Sequence, residues 1–296
     1  MKLPFIRVYS IRYLVLWITA FLSLSLLSHI EPGKTGSERK ESEKERLRIK
    51  STRVKSLKIY KNVIINDSLT LEKFLYQVHD YDTNGNVISI KTYKSKDVWE
   101  YTVLYKYDPN NNLVEDIDLD STGQMKKKLV HEYSGANLLI RSTTFNEKHS
   151  KVSVFEYAAL NQDSVVRCIK KVFPADTVEY IIDYSYDGFS DSARLIAAMK
   201  YLNNNQITRI ENKYNKKGQR TQKSVFNRDD SLQFKWLYYY DLAGNNTRIV
   251  RMDSLSKFEY AIDRNFDEFR NVVKLRKINT ARKFSDYQTF EYEYYK

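Results

Sequence analysis

Nine aromatic residues recur along this chain at nearly constant spacing, and this limits its folding choices more than any other feature. Tyr81, Tyr107, Tyr133, Tyr157, Tyr186, Tyr214, Tyr240, Phe266 and Tyr294 stand 24 to 29 residues apart. Units this short cannot bury an apolar face alone, so neighbouring units must stack or pair. A second landmark follows each first one by about twelve residues: Tyr93, Leu119, Phe145, Phe226, Met252 and Ile278, slipping to Phe173 and Tyr201 in the two longest units. Each unit therefore reads as two strands and two turns.

The turn chemistry fits. Directly after the landmarks stand Asp82, Asp108, Ser134, Asp187, Asn215, Asp241 and Asp267, whose short polar side chains hydrogen-bond their own turn. Four residues after a landmark stand Gly85, Asn111, Asn137, Gly218 and Gly244, types that tolerate positive φ at the end of a hairpin loop. Gly85 and Gly244 read as equivalent positions with equal cost of substitution. Between the turns, Trp99, Tyr101, Val103, Tyr105 and Tyr107 alternate with Glu100, Thr102, Leu104 and Lys106, and Phe234, Trp236, Tyr238 and Tyr240 share a face. Period two with one aromatic face means half-buried antiparallel strands. The 24 tyrosines, against 14 Phe and 3 Trp, suit this role, since the ring packs while the hydroxyl finds a polar partner. Ala193–Met199 contains good helix formers, but the register on both sides favours a strand. The expected fold is all-β: an elongated, twisted antiparallel meander of about eight hairpin repeats of ~26 residues, preceded by an N-terminal hydrophobic helix. Its aromatic face must be covered, by curling, by closing into a barrel or by a partner.

The Tyr-x-Tyr-Asp-x-x-Gly-Asn pattern is carried by Tyr105-Lys-Tyr107-Asp108, Tyr184-Ser-Tyr186-Asp187, Tyr238-Tyr-Tyr240-Asp241, Asp82-Thr-Asn-Gly85 and Asp241-Leu-Ala-Gly244. It resembles the YD repeat of the RHS/YD-repeat family over roughly residues 56–296. The resemblance implies spiralling antiparallel sheets in an exported protein. The longer period, the small number of units and the ending inside a repeat at Tyr294-Tyr295-Lys296 imply a short, toxin-less member.

Lys2, Arg7 and Arg12, with no acid among them, precede an uncharged run from Tyr13 to Ile30. This is the basic and apolar order of an export signal. Ser23-Leu24-Ser25 offers a cleavage site; a retained segment would instead anchor the chain, with membrane contact through residues 13–30. Residues 1–30 are thus a signal peptide or signal anchor, 31–55 a charged flexible linker, and 56–296 the repeat domain. Glu38–Lys50 has only Leu47 and Ile49 as apolar residues, too few to offset ordering entropy; a frayed, solvated helix is the other reading. Cys168 is the only cysteine, which excludes a disulfide framework and a lipid-accepting Cys after the leader. The expected address is the periplasm, cell surface or extracellular space.

The net charge is +12. Residues 1–30 contribute +3, and residues 31–58 add ten Lys/Arg against five Glu, leaving +4 for residues 59–296. A nucleic-acid binder concentrates positive charge on its folded surface, so nucleic acid is not expected as a partner.

No HExxH, GxSxG, phosphate-binding loop or dinucleotide fingerprint is present, and no catalytic, cofactor-binding or metal-binding residue is assigned. His79 and His131 stand two residues before Tyr81 and Tyr133, in the slot that holds Tyr105, Phe155, Tyr184, Tyr238 and Tyr292 elsewhere; they read as substitutes for a packing aromatic. His149 lies in a turn, and Cys168 reads as a buried thiol. Asp80-Tyr-Asp82-Thr-Asn84-Gly85 matches the first half of an EF-hand loop, but Lys91 stands where the bidentate Glu belongs. It reads as turn chemistry, as does Asp118–Gly123. Trp99, Trp236 and most tyrosines fall on the packing face and Tyr239 is the clearest aromatic on the opposite one, so a glycan-stacking platform is not indicated. The expected function is a non-catalytic exported envelope or surface protein that binds or scaffolds a protein or glycan. The alternative is an outer-membrane β-barrel or an envelope-associated accessory protein. Against a lipid-embedded barrel stands the tyrosine content of the face it would turn outward, since such barrels confine aromatics to girdles.

Overall fold

A computed structural model describes residues 36–65, 68–161, 164–187, 194–280 and 286–295; the leader at 1–30 lies outside them. Among the described residues, a single helix, α1 (Gly36–Ser51), precedes eighteen strands. These are β1 (Val54–Ile65), β2 (Ser68–Tyr81), β3 (Val87–Ser95), β4 (Val98–Tyr107), β5 (Leu113–Asp120), β6 (Met125–Tyr133), β7 (Leu139–Asn146), β8 (Lys151–Asn161) and β9 (Ser164–Val172). There follow β10 (Thr177–Tyr186), β11 (Leu195–Leu202), β12 (Asn205–Tyr214), β13 (Arg220–Phe226), β14 (Leu232–Tyr240), β15 (Asn246–Asp253), β16 (Phe258–Phe266), β17 (Val272–Asn279) and β18 (Asp286–Tyr294). Of Ala193–Met199, Leu195 to Met199 lie in β11, a strand as its register demanded, and Ala193 lies outside the described residues.

Each strand pairs antiparallel with its neighbours in the chain, for example His79 with Ile90 and Trp236 with Arg251. The last strand then pairs with the first, from Val54↔Tyr294 to Lys61↔Gln288. This corrects the expectation of an open, elongated meander: the sheet is a closed barrel. The aromatic face points inward, so the objection that a barrel would turn its tyrosines outward does not apply.

One hairpin design serves both ends of the barrel. At Asp82 the backbone N–H donates to Asn86 O (2.9 Å) and Gly85 N–H donates back to Asp82 O (3.0 Å). The same pair of bonds recurs at Asp108, Asp120, Ser134, Asn146, Asn215, Asn227, Asp241, Asp253 and Asp267. The fourth loop residue is left-handed in each, with φ from 55° at Asp230 to 87° at Gly244. The leading carboxylate locks the loop: Asp82 Oδ1 accepts from the N–H groups of Asn84 (2.9 Å) and Asn86 (2.8 Å). Asn86 Nδ2 fills Asp82 Oδ2 at 2.9 Å, and Asp80 Oδ2 accepts from Ser89 Oγ at 2.7 Å. Both carboxylate oxygens of Asp82 and one of Asp80 are therefore engaged by protein donors.

A β-bulge accompanies these turns. Tyr81 faces Val87 while Asp80 faces Ser89, and the shift repeats at Tyr107/Leu113, Tyr133/Leu139 and Phe266/Val272. An extra residue in one strand sharpens its bend and twist, which helps the sheet curl. A bulge also separates Trp99 from its expected face: Thr92 faces Tyr101, but Tyr93 faces Trp99. Trp99 thus lies on the outer wall with Tyr93, under Lys91 Nζ at 4.9 Å from its ring.

At the first-landmark end, four tyrosine hydroxyls tie a hairpin to the one before. Tyr133 donates to Leu113 O (3.0 Å), Tyr214 to Leu195 O (2.9 Å), Tyr240 to Arg220 O (2.9 Å) and Tyr292 to Val272 O (3.0 Å). Tyr292, not Tyr294, therefore occupies the last landmark position.

The main core lies around the seam, built from Leu57, Ile59, Tyr81, Ile90, Tyr105, Leu275 and Phe290. Ile49 of α1 enters this core and is 1% exposed; a helix over 36–51 stands where a flexible linker was expected, and 31–35 lie outside the described residues. The helix backbone rests on the β2–β3 turn, where Arg46 Nη1 donates to Asn84 O at 2.8 Å.

Gly85 and Gly244 are accordingly not equivalent. A Cβ on Gly85 would lie 2.3 Å from Arg46 O and 2.9 Å from Lys50 N, whereas Gly123, equally left-handed, has nothing within 4 Å. Gly123→Ala should cost on the order of 1 kcal/mol for the left-handed conformation alone. Gly85→Ala should cost clearly more, because α1 must move. Thermal melts of both variants check this; equal losses would mean that α1 does not sit on the turn.

Candidate functional site

Because side chains alternate, the barrel wall has an inner set and an outer set with opposite chemistry. The outer set forms ion pairs along the strands. Lys106 Nζ stands 2.6 Å from Glu115, which also pairs with Lys128. Arg167 stands 2.6 Å from Asp183, Arg276 2.8 Å from Asp263, and Lys73 3.1 Å from Glu291. Outward apolar residues such as Ile88, Ile140 and Ile196 sit at the bulges beside the turns. Tyr239 is exposed on this wall, as its place in the alternation implied.

The inner set contains three groups of functional side chains. The first is a hydrogen-bonded chain across β5, β6 and β7. Asp116 Oδ2 lies 3.2 Å from His131 Nε2, and His131 Nδ1 lies 2.7 Å from Ser142 Oγ. His131 fills the aromatic slot, as expected, but it does so as the centre of this polar chain. The composition is that of a proton relay. Ser142, however, is only 2% exposed and its strand is paired on both sides. No substrate carbonyl could reach the hydroxyl, so the group ties the strands together. Asp116 and Ser142 were missed in the sequence. Their signal is the position nine residues after a landmark, where other hairpins place Ile90, Ile249 and Leu275.

The second group is His79, Gln77 and Thr92. Gln77 Nε2 donates to Thr92 Oγ1 at 3.1 Å, and its Oε1 lies 3.2 Å from His79 Nε2. His79 is 1% exposed, and burial pushes its pKa down to about 4. Cys168, also sealed inside, has its thiol pushed up to about 12 by burial; it is a packing residue beside Tyr157, its cross-strand partner.

The third group alternates cations with rings around the wall. Lys223 of β13 faces Trp236, Trp236 faces Arg251, and Arg251 faces Tyr260. Lys223 Nζ is 5.4 Å from the Trp236 centroid, and Arg251 is 5.7 Å from Trp236 and 5.8 Å from Tyr260. Lys277 Nζ of β17 closes the row at 4.3 Å from Tyr260. A second such row runs Phe155, Lys170, Tyr180 and Lys200, with Lys200 3.7 Å from the Tyr180 ring. Barrels of 16–18 strands are wide enough to keep an aqueous interior, and the row from Lys223 to Lys277 is half-buried rather than sealed.

No protein-family model and no curated protein sequence matches the chain. Among solved structures, a porin-like protein from Bacteroides uniformis ATCC 8492 is similar at 8% identity and TM-score 0.43, covering 82% of this chain and 98% of that one. A porin-like protein from Bacteroides vulgatus ATCC 8482 is similar at 8% identity and TM-score 0.32, covering 81% and 99%. The Tc holotoxin pore of Photorhabdus luminescens is similar at 11% identity and TM-score 0.28, covering 72% of this chain and 15% of that one. At these identities and scores the likenesses carry no functional argument.

The buried His79 makes stability depend on pH. Its folded pKa lies below the unfolded value of about 6.5, so the unfolded chain binds the extra proton first. Stability is then fully present above about pH 6.5 and is lost as pH falls toward about 4. Denaturant unfolding at pH 7.5 and 4.5 should show His79→Gln losing roughly 2–3 kcal/mol less than the parent over that interval. An unchanged pH dependence would mean that His79 can protonate in the folded barrel.

Proposed function

We propose that this chain is an exported, envelope-associated β-barrel whose outer wall faces water and whose ring-and-cation-lined lumen is a binding site, without catalysis. The carrying observation is the outer wall. A barrel embedded in lipid presents an apolar band about 25 Å tall, whereas here ion pairs such as Arg276–Asp263 and Lys73–Glu291 occupy that face within the strands. Closure supports the barrel alternative over an open scaffolding sheet, because the aromatic face is no longer offered to a partner. The export address rests on Lys2, Arg7, Arg12 and the run Tyr13–Ile30. The Asp-led turns, recurring from Asp82 to Asp267, support kinship of the hairpin unit with YD repeats.

A second reading is insertion of the same barrel in an outer membrane. It is favoured by the closed ring of strands and by the outward Ile88, Ile140 and Ile196. Residues 31–296, exported behind a cleavable signal, separate the two. A water-walled barrel is released by alkaline carbonate, stays monodisperse without detergent and gives a β-rich circular dichroism spectrum. Retention in the bilayer fraction until detergent is added would overturn the first reading in favour of the second.

A further inference from the structure

The row from Lys223 to Lys277 repeats on a fixed ruler. Neighbouring strands lie roughly 4.8 Å apart. Lys223 on β13 and Arg251 on β15 therefore stand roughly 10 Å apart across the sheet, with Trp236 between them; Lys277 on β17 faces Ile262, two residues along from the row, and its Nζ reaches back to the Tyr260 ring. The ring faces are already occupied: Lys223 and Arg251 lie over Trp236, and Arg251 and Lys277 over Tyr260. Trp236 Nε1 also points at Tyr260 Oη, 3.4 Å away. The rings hold the cations in register through their negative faces and do not offer a platform for stacking a neutral sugar.

Carboxylates stand among these cations. Burial lowers the pKa of Lys277, Asp286 opposes that shift, and Lys61 and Arg251 add to it more weakly. Lys61 lies 3.6 Å from Asp286. Arg251 Nε lies 3.1 Å from Glu259 Oε2, yet both atoms are buried without a hydrogen bond.

We propose that the lumen wall from β13 to β17 binds an acidic saccharide chain, one that carries a carboxylate or sulfate on alternate sugars. Two sugars advance such a chain by about the distance that two strands advance the wall, so successive anions would meet Lys223, Arg251 and Lys277. The assignment rests on the water-walled, ligand-binding barrel proposed above and names the class of its ligand.

The full chain, purified after export, tests this by quenching of tryptophan fluorescence and by titration calorimetry. The probes are a hyaluronan octasaccharide, an oligogalacturonate, inorganic polyphosphate and neutral maltoheptaose. The expected result is binding of the hyaluronan probe, none of maltoheptaose, and loss of binding at roughly 1 M salt, where the Debye length falls to ~3 Å. Lys223→Gln/Arg251→Gln/Lys277→Gln should weaken binding at least about tenfold, while the outer-wall pair Arg248→Gln/Arg276→Gln should leave it unchanged. If the triple variant fails to fold by circular dichroism, Lys223→Gln alone should still weaken binding several-fold. A folded, detergent-free parent that does not bind hyaluronan, or that binds oligogalacturonate, charged on every sugar, more tightly, would overturn the proposal while leaving the water-walled barrel standing. Equal weakening by the outer-wall pair, or tighter binding of polyphosphate than of either saccharide, would also overturn it. A parent that needs detergent would instead point to failure of the water-walled barrel itself.

Discussion

A sheet with one tyrosine-rich face and two free edges cannot stand alone in water, and pairing β18 with β1 resolves both problems together. The backbone bonds gained at the seam are worth about 1 kcal/mol each net. Each large side chain sealed inside, such as Leu57, Ile59 or Phe290, contributes about 1.5–3 kcal/mol. Burial therefore drives closure, while the hydrogen bonds from Val54↔Tyr294 to Lys61↔Gln288 select which residues meet. The bulges and left-handed turns act on a smaller scale. They give each hairpin the curvature that lets the last strand find the first.

Much of this was legible in the sequence because hairpin chemistry is local. The Asp and Gly or Asn of each turn, the period-two faces and the aromatic spacing all lie within one unit, and the strands appeared where they implied. Closure was not legible, because it depends on pairs such as Lys55 and Glu293, at opposite ends of the repeat domain. Nor was the bulge that moves Trp99 to the outer wall, since strict alternation takes no account of an extra residue. The helix α1 was hidden because its one deep contact, Ile49, stands in a strongly charged run. The luminal chain Asp116–His131–Ser142 was half legible: His131 was recognised in an aromatic slot, but its partners lie on neighbouring strands.

The two wall faces together shape the functional reading. An outer wall of paired charges suits water, and isolated surface pairs of this kind add little stability. In the proposed function their weight is in disfavouring contact with lipid tails along the strands. The lumen concentrates the remaining specificity: sealed polar ties near His79 and His131, and half-open rows of cations held against rings between β8 and β17. The first kind of site fixes the barrel's form; the second is the part a ligand could meet.

The closing seam is the most direct place to test the fold. Lys58 and Glu291 face each other across β1 and β18 on the outer wall, within the Cα separation of about 4.4–6.8 Å that a disulfide spans. Cysteines placed at both positions, with Cys168 replaced by Ser, should oxidise to a single intrachain disulfide, identified as a linked peptide by mass spectrometry after proteolysis of the folded protein. Two thiols that remain free and are alkylated separately under the same oxidising conditions would show that the first and last strands do not meet, and the barrel would be wrong.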